Sequence, residues 1–290
     1  MNLGRVGIFS IGLRMEEHFV SGEAVAAAIE LEELGFGALW LGFSPGVRHA
    51  APLLTATSRI MVATAVLSIW DYEPAEVATE RMAVAAEHPG RFLLGLGASH
   101  YYLAPDRYRR PLTAMRAFLD GLDAAPTPVP ATERVLAALG PRMLETARDK
   151  AAGAIPYMVT PEHTRRARQI LGPDRLLAPE VKVVIDNDPT RARDIARRHV
   201  AHYLELPNYA NNLRRLGYTD DDLSGGGSDE LIESLIAWGD ADSIRDRVTA
   251  HLDAGADHVC IQAVTDDWAE LPRDQWRELA AMLDLKGTEP

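Results

Sequence analysis

Short apolar runs alternate along the chain with longer segments whose apolar residues recur every three or four positions. Residues 5–10 (R-V-G-I-F-S) form the first run. From about 23 to 34, Ala24, Ala28, Leu31 and Leu34 share one stripe, and Gly35 ends what the spacing predicts as a helix. Residues 38–41 predict the second strand, and the β-branched stretch 59–67 predicts the third, followed by a helix from near Pro74. The turn signal His88-Pro89-Gly90 precedes a fourth strand at 91–96. The rhythm continues with strands at 134–139, 154–159, 181–185 and 258–263. Gly140-Pro141, Thr160-Pro161-Glu162 and Asp188-Pro189 read as helix starts, and a last helix runs from Pro272 to about Leu283.

Continuously apolar strands alternating with helices suit a parallel sheet covered on its outer face. Eight such units without paired halves favour closure into an α/β (β/α)8 TIM barrel over a doubly wound sheet. Two segments break the alternation. Residues 124–131 hold Pro126, Pro128 and Pro130 and predict a rigid surface connection. Residues 206–228 carry Asn211-Asn212, three successive aspartates from Asp220 and three successive glycines from Gly225. They predict a helical excursion with a flexible tip between strands 7 and 8, placed where a lid would sit. A length of 290 residues is accommodated by one barrel domain over 1–290, and 47% hydrophobic with 25% charged residues is ordinary for a globular chain.

Charge narrows the partners. A formal net charge of −12 argues against nucleic acid and membrane surfaces, which are themselves anionic. No apolar run reaches membrane-spanning length, and the first is too short for a secretory signal, so a cytoplasmic location is expected. The lone Cys260 rules out an internal disulfide and reads as barrel core.

In a barrel the chemistry sits on the loops after the strands' carboxyl ends. Those loops here are mostly small, apolar and aromatic, which suits a planar organic ligand and a small-molecule substrate better than a metal or a sugar. The Gly95-Leu-Gly97-Ala-Ser-His100 stretch lacks the third glycine and following helix of a dinucleotide fingerprint, and is rejected as one. Its glycines allow either close approach of a ligand to the backbone or a tight turn. His199 and His202 have a metal-compatible spacing without a third ligand, so a solvated helix face is expected and no metal. Asp71 and Glu73 read as turn carboxylates, not a glycosidase pair, and Arg107, Arg109, Arg110 and Arg116 as a solvated basic patch.

The segments Ile60-x-Val62-Ala-Thr64-Ala-Val66, Tyr72-x-Pro74-Ala75-x-x-Ala78 and His88-Pro89-Gly90-Arg91-Phe92-x-Leu94-Gly95-Leu96-Gly97 resemble the bacterial luciferase-like superfamily. The likeness continues through Gly140-Pro141-Arg142-Met143, Val159–His163, Trp238-Gly239-Asp240 and 254–259, and in detail is similar to the coenzyme F420-dependent branch from actinobacteria. It implies an oxidoreductase moving a hydride between F420 and a small organic substrate. The alternatives are an FMN-dependent monooxygenase and a non-catalytic flavin- or deazaflavin-binding protein. It further implies a cis peptide at Ala65–Val66 behind the ring, flanked by Thr64, with Gly97, Ala98 and Ser99 beside the ring's polar edge. Ala138, Leu139, Gly140 and Pro141 match the loop near the ribityl and phosphate chain, where a helix amino terminus favours an anion. A homodimer is an expectation from the resemblance alone.

Two departures stand out. Many F420-using relatives carry Asp-His where this chain has Phe43 and Ser44, and related sugar-phosphate dehydrogenases carry glutamate where it has His100. A sugar phosphate is therefore not expected. His100 becomes the candidate proton donor, with a hydrogen-bonding role as its alternative. Ser44 is either a ligand contact or a turn residue before Pro45. Trp70, Tyr72 and Tyr157 are candidates for the substrate wall, the first two against plain packing of their loop.

Overall fold

The computed structural model describes residues 2–285. Its frame is one curled, all-parallel sheet, built on β1 (Val6–Ser10), β2 (Ala38–Gly42), β3 (Met61–Ala65), the short β4 (Leu67–Ser68), β5 (Phe92–Gly97), β6 (Arg134–Leu136) and β7 (Gly153–Ala154). β8 (Leu176–Leu177) and β9 (Glu180–Val184) are two halves of one bent strand, and β10 (Ile236–Trp238) and β11 (Val259–Ala263) follow. Ala178 N–H donates to Ala154 O and Glu180 N–H to Pro156 O, both at 2.9 Å, while Cys260 N–H donates to Pro179 O at 2.9 Å. β11 then pairs with β1, so the ring closes as a TIM-type barrel.

Alternation along the strands builds two cores. Trp40, Met61, Ala63, Leu93, Val135, Ala178 and Cys260 plug the barrel, whereas Leu39, Leu41, Val62, Leu94, Val181 and Ile261 pack outward beneath the helices. At the amino-terminal end, the Trp40 indole donates to His258 Nε2 at 3.0 Å and His258 Nδ1 donates to Gly4 O at 2.9 Å. Gly7 makes this possible, since a Cβ there would lie 2.7 Å from His258 Nε2.

Several expected boundaries move. The ladders of the strands expected at 134–139 and 154–159 end at Leu136 and Ala154. Pro156 has no N–H to donate and Met158 turns to φ 58°, so the chain leaves the sheet there. The strand expected at 59–67 breaks at a cis Ala65–Val66 bond. β10 was not expected from the pattern; it lies against β9 and leads into Ala241–Asp253, whose first turn is capped by Asp240 accepting from Ser243 N–H at 2.9 Å.

Between β9 and β10 the chain runs through helices Pro189–Leu204, Pro207–Leu216, Asp220–Leu223 and Asp229–Leu235. The excursion has its own apolar core, including Val200, Leu204, Tyr209, Leu213, Leu231 and Ile232. Its three-glycine tip takes positive φ at all three residues (59°, 85° and 104°), a conformation that glycine adopts without strain. No helix among the described residues is long and apolar enough to cross a membrane.

Candidate functional site

A cavity of about 460 Å³ opens at the carboxyl ends of the strands, within the usual range for small-molecule sites. One wall is made mostly of small residues: Ala65 and Val66 after β3, Ala98 and Ser99 after β5, and Ala137, Ala138 and Gly140 after β6, with the larger Leu139 among them. The wall is continuous, because a Cβ on Gly97 would lie 2.2 Å from Val66 Cγ2 and 3.4 Å from Ala137 Cβ. Side chains this short leave backbone within reach of a flat ring.

Gly95 and Gly97 serve the protein's own backbone. A Cβ on Gly95 would meet the Thr64 carbonyl oxygen at 1.8 Å. Thr64 is fully buried; its hydroxyl donates to Gly95 O at 2.7 Å and accepts from Gly95 N–H at 2.8 Å. Thr64 and Gly97 thus brace the small-residue wall from behind and do not line the cavity. The strand-end glycines thus make room for a neighbouring strand, a use outside the two foreseen, ligand approach and a tight turn.

The loop at 137–140 is fastened from outside. His163 Nε2 bonds Leu139 O at 2.9 Å, on a helix, Pro161–Leu171, whose first turn is capped by Thr160 accepting from His163 N–H. Gly140 is the residue before helix Pro141–Lys150, and the Arg215 guanidinium lies 3.6 Å from where a Gly140 Cβ would stand. Pro141 is exposed and does not line the cavity, but with Gly140 it aims the helix start and its free N–H groups toward this end, which favours an anion.

The other side is aromatic. Phe9, His100, Tyr102, Tyr157, Tyr203 and Tyr209 line it. Tyr157, Tyr203 and Tyr209 form a mutual cluster with centroids 5.5 to 6.1 Å apart, and His100 stacks on Tyr102 at 5.7 Å and 3°. The Tyr157 hydroxyl lies 3.0 Å from Gln262 Oε1 and 3.2 Å from the Tyr203 hydroxyl. Burial, together with the neighbouring His202, pushes the His100 pKa down to about 4, with the Asn208 side chain opposing the shift. The ring is therefore neutral at pH 7, which suits a proton acceptor or a hydrogen-bond donor.

Below the aromatic side lies a feature that sequence reasoning missed. Glu180 and Lys182, two apart on β9 and so on the same face of the strand, are each 1% exposed inside the barrel. Lys182 Nζ lies 2.8 Å from both Glu180 carboxylate oxygens and 3.5 Å from the centre of the Tyr157 ring. Burial drives the Glu180 pKa up and the Lys182 pKa down, and their mutual attraction opposes both shifts. Two charges in an otherwise apolar strand were the available signal.

The remaining candidates lie at the rim or outside it. Ser44 lines the cavity; its hydroxyl donates to Asp71 Oδ2 at 3.3 Å and accepts from Ser68 N–H at 3.2 Å, so its proton is already engaged. Phe43 and Ser44 both have positive φ, 61° and 53°, in the left-handed region that non-glycine residues seldom enter. Trp70 does not line the cavity; its indole donates to the Ala98 carbonyl from behind. Tyr72 packs against Gly46, also away from the cavity. His199 departs from the solvated face expected of it: it is half-buried, its Nε2 has no partner, and burial near Lys182 lowers its pKa to about 3. His202 is exposed and meets the edge of Tyr102 at 5.1 Å. No three His, Cys, Asp or Glu side chains among the described residues are grouped to hold a metal ion.

This arrangement, a strand-end cavity with one small-residue wall and one aromatic wall, can be set beside known proteins. No curated protein sequence matches the chain. A coenzyme F420-dependent tetrahydromethanopterin reductase from Methanopyrus kandleri has a similar solved structure, with TM-score 0.71, 17% identity, and coverage of 98% of this chain and 97% of that one. An F420-dependent secondary alcohol dehydrogenase, solved with an F420-acetone adduct, gives TM-score 0.67 at 16% identity, covering 96% and 98%. The oxygenating constituent of 3,6-diketocamphane monooxygenase from Pseudomonas putida, solved with FMN, gives TM-score 0.67 at 13% identity, covering 95% of each chain. At such identities these structures share the fold alone. The sequence likeness is broader: residues 9–258, nearly the whole barrel, match the luciferase-like monooxygenase family, and the chain belongs to that family.

Proposed function

We infer that the protein is an oxidoreductase that holds coenzyme F420 against the small-residue wall and moves a hydride between it and a small organic substrate on the aromatic side. The observation that carries this reading is the cavity's division into a wall of short side chains, fit for a flat tricyclic ring, and an aromatic wall bearing a neutral imidazole. The fold shared with two F420-dependent enzymes supports it. F420 supplies two-electron hydride chemistry when bound. Ala65, Val66, Ala98 and Ala138 would give the ring its seat, with Thr64 and Gly97 bracing that seat. Ser99 would lie at the ring's polar edge, and Leu139, Gly140 and Pro141 would direct the phosphate toward the helix start beside Arg215.

His100 then has a defined task. As a neutral base it takes the hydroxyl proton of an alcohol while the hydride departs from the adjacent carbon, and it returns that proton in the reverse direction. A second reading, an FMN-dependent monooxygenase, draws support from the FMN-bound structure, whose TM-score of 0.67 equals that of the F420-dependent alcohol dehydrogenase, since the same wall suits either ring. Thermal unfolding with F420, with FMN and with neither separates the two. A ligand at one hundred times its dissociation constant adds about 2.7 kcal/mol of stability. F420 is expected to raise the melting temperature and to be reduced by a secondary alcohol. Stabilisation by FMN alone defeats the reading, and F420 binding without turnover of any substrate points to a binding protein.

A further inference from the structure

The geometry points to an uncharged substrate: a flat, largely apolar molecule whose polar functionality is a single carbonyl or hydroxyl, bound between His100 and the tyrosines. This inference rests on the redox reading of the same cavity and adds the substrate's chemical class. Among the described residues no lysine or arginine lines the cavity, and its one carboxylate, Asp71, is bound by Ser44 and paired with Arg107 at 3.1 Å. The cation nearest the aromatic side, Lys182, is held by both oxygens of Glu180, and the Tyr157 ring covers it. A substrate carboxylate or phosphate there would be stripped of water and given no counter-charge, which is strongly unfavourable.

What the aromatic side does offer is directional and neutral. Burial raises the pKa of Tyr157, Tyr203 and Tyr209, so all three stay protonated. His100 has a buried Nδ1 without a partner, and Asn208 stands beside it on the cavity wall. One carbonyl or hydroxyl satisfies this small polar spot, while the ring faces accept a flat apolar body. At the mouth Phe43 and Trp268 are 50% and 52% exposed and 5.6 Å apart, with the Arg14 guanidinium 5.3 Å from the centre of the Phe43 ring on the rim, outside the residues that line the cavity.

The test compares acetophenone with 4-acetylbenzoate, which keeps the ketone and adds a carboxylate. Binding to the protein is followed by tyrosine fluorescence, with and without F420, and F420 itself is titrated in parallel. Acetophenone is expected to bind at least about tenfold more tightly than 4-acetylbenzoate. Asn208→Arg supplies the missing cation and is expected to narrow or reverse that preference. Tyr102→Arg, at a position 46% exposed, makes the same change at the mouth should the first variant fail to fold. Equal or tighter binding of 4-acetylbenzoate to the wild-type protein, or no binding of acetophenone, overturns the inference. Failure of F420 to bind with the preference intact removes the redox reading and leaves the neutral cavity standing.

Discussion

Lys182→Met tests whether the pair beneath the cavity is held as opposite charges. The Lys182 ammonium lies 2.8 Å from both Glu180 oxygens. At that distance and an effective dielectric constant of about 20, the attraction is about 6 kcal/mol. Desolvation of several kcal/mol per ion offsets most of it, so the intact pair adds little net stability. Removing one member is different, because the other is left uncompensated between Tyr157 and Cys260. Lys182→Met and Glu180→Gln should therefore each lose about 3–5 kcal/mol, and the double variant should lose less than either. Urea unfolding followed by circular dichroism at pH 7 measures all four proteins. The lone Glu180 of Lys182→Met has its folded pKa raised above the unfolded value. Its stabilising share is thus present at low pH and lost as pH rises through the folded pKa, so this variant should lose less stability than the wild-type protein between pH 7 and pH 5. Losses that simply add in the double variant would refute a charged, coupled pair.

Acid should weaken the fold through buried neutral histidines. Burial lowers the pKa of His258 to about 4 and that of His251 to about 3, whereas both take a proton near 6.5 when unfolded. Their stabilising effect is full above pH 6.5 and falls toward the folded values, by about 2 kcal/mol per histidine between pH 7 and pH 5. Urea titrations at the two pH values should show His258→Gln losing correspondingly less than the wild-type protein over this interval. Gly95→Ala should destabilise more than Gly97→Ala, because the first added Cβ meets a backbone oxygen at 1.8 Å and the second a side-chain methyl at 2.2 Å. The second should cost about 1–3 kcal/mol in the same assay, and equal losses would contradict the close-approach account. Turnover through His100 as a base should stay level from pH 8 to pH 5 and fall with an apparent pKa near 4; a break near 6.5 in the pH profile would show the imidazole charged in the working enzyme.

The barrel was legible because strand and helix periods alternate cleanly and glycine and proline punctuate them, as at Gly35, Pro74 and Pro161. The short ladders ending at Leu136 and Ala154 were not, since residues 137–140, Ile155 and Tyr157 face a cavity, a pattern that hydrophobicity cannot tell from facing a core. The two cavity walls differ in the same respect. Resemblance named residues of the small wall, whose local motifs are short and specific. The aromatic wall draws Tyr102 from one loop and Tyr203 and Tyr209 from the excursion, and only folding brings them together. The roles of Gly95, Gly97 and Trp70 also needed coordinates, because a glycine spacing does not reveal whether a ligand or a neighbouring strand takes the room.

The most direct measurement is an equilibrium titration of F420 into the wild-type protein and into Ala98→Trp, with folding of the variant checked by circular dichroism. Ala98 lines the small-residue wall, and an indole there would fill the space assigned to the ring. The account predicts one F420 bound per wild-type chain and an affinity at least about tenfold weaker for the variant. A wild-type protein that ignores F420, or a folded Ala98→Trp that binds it equally well, would contradict the placement of the cofactor.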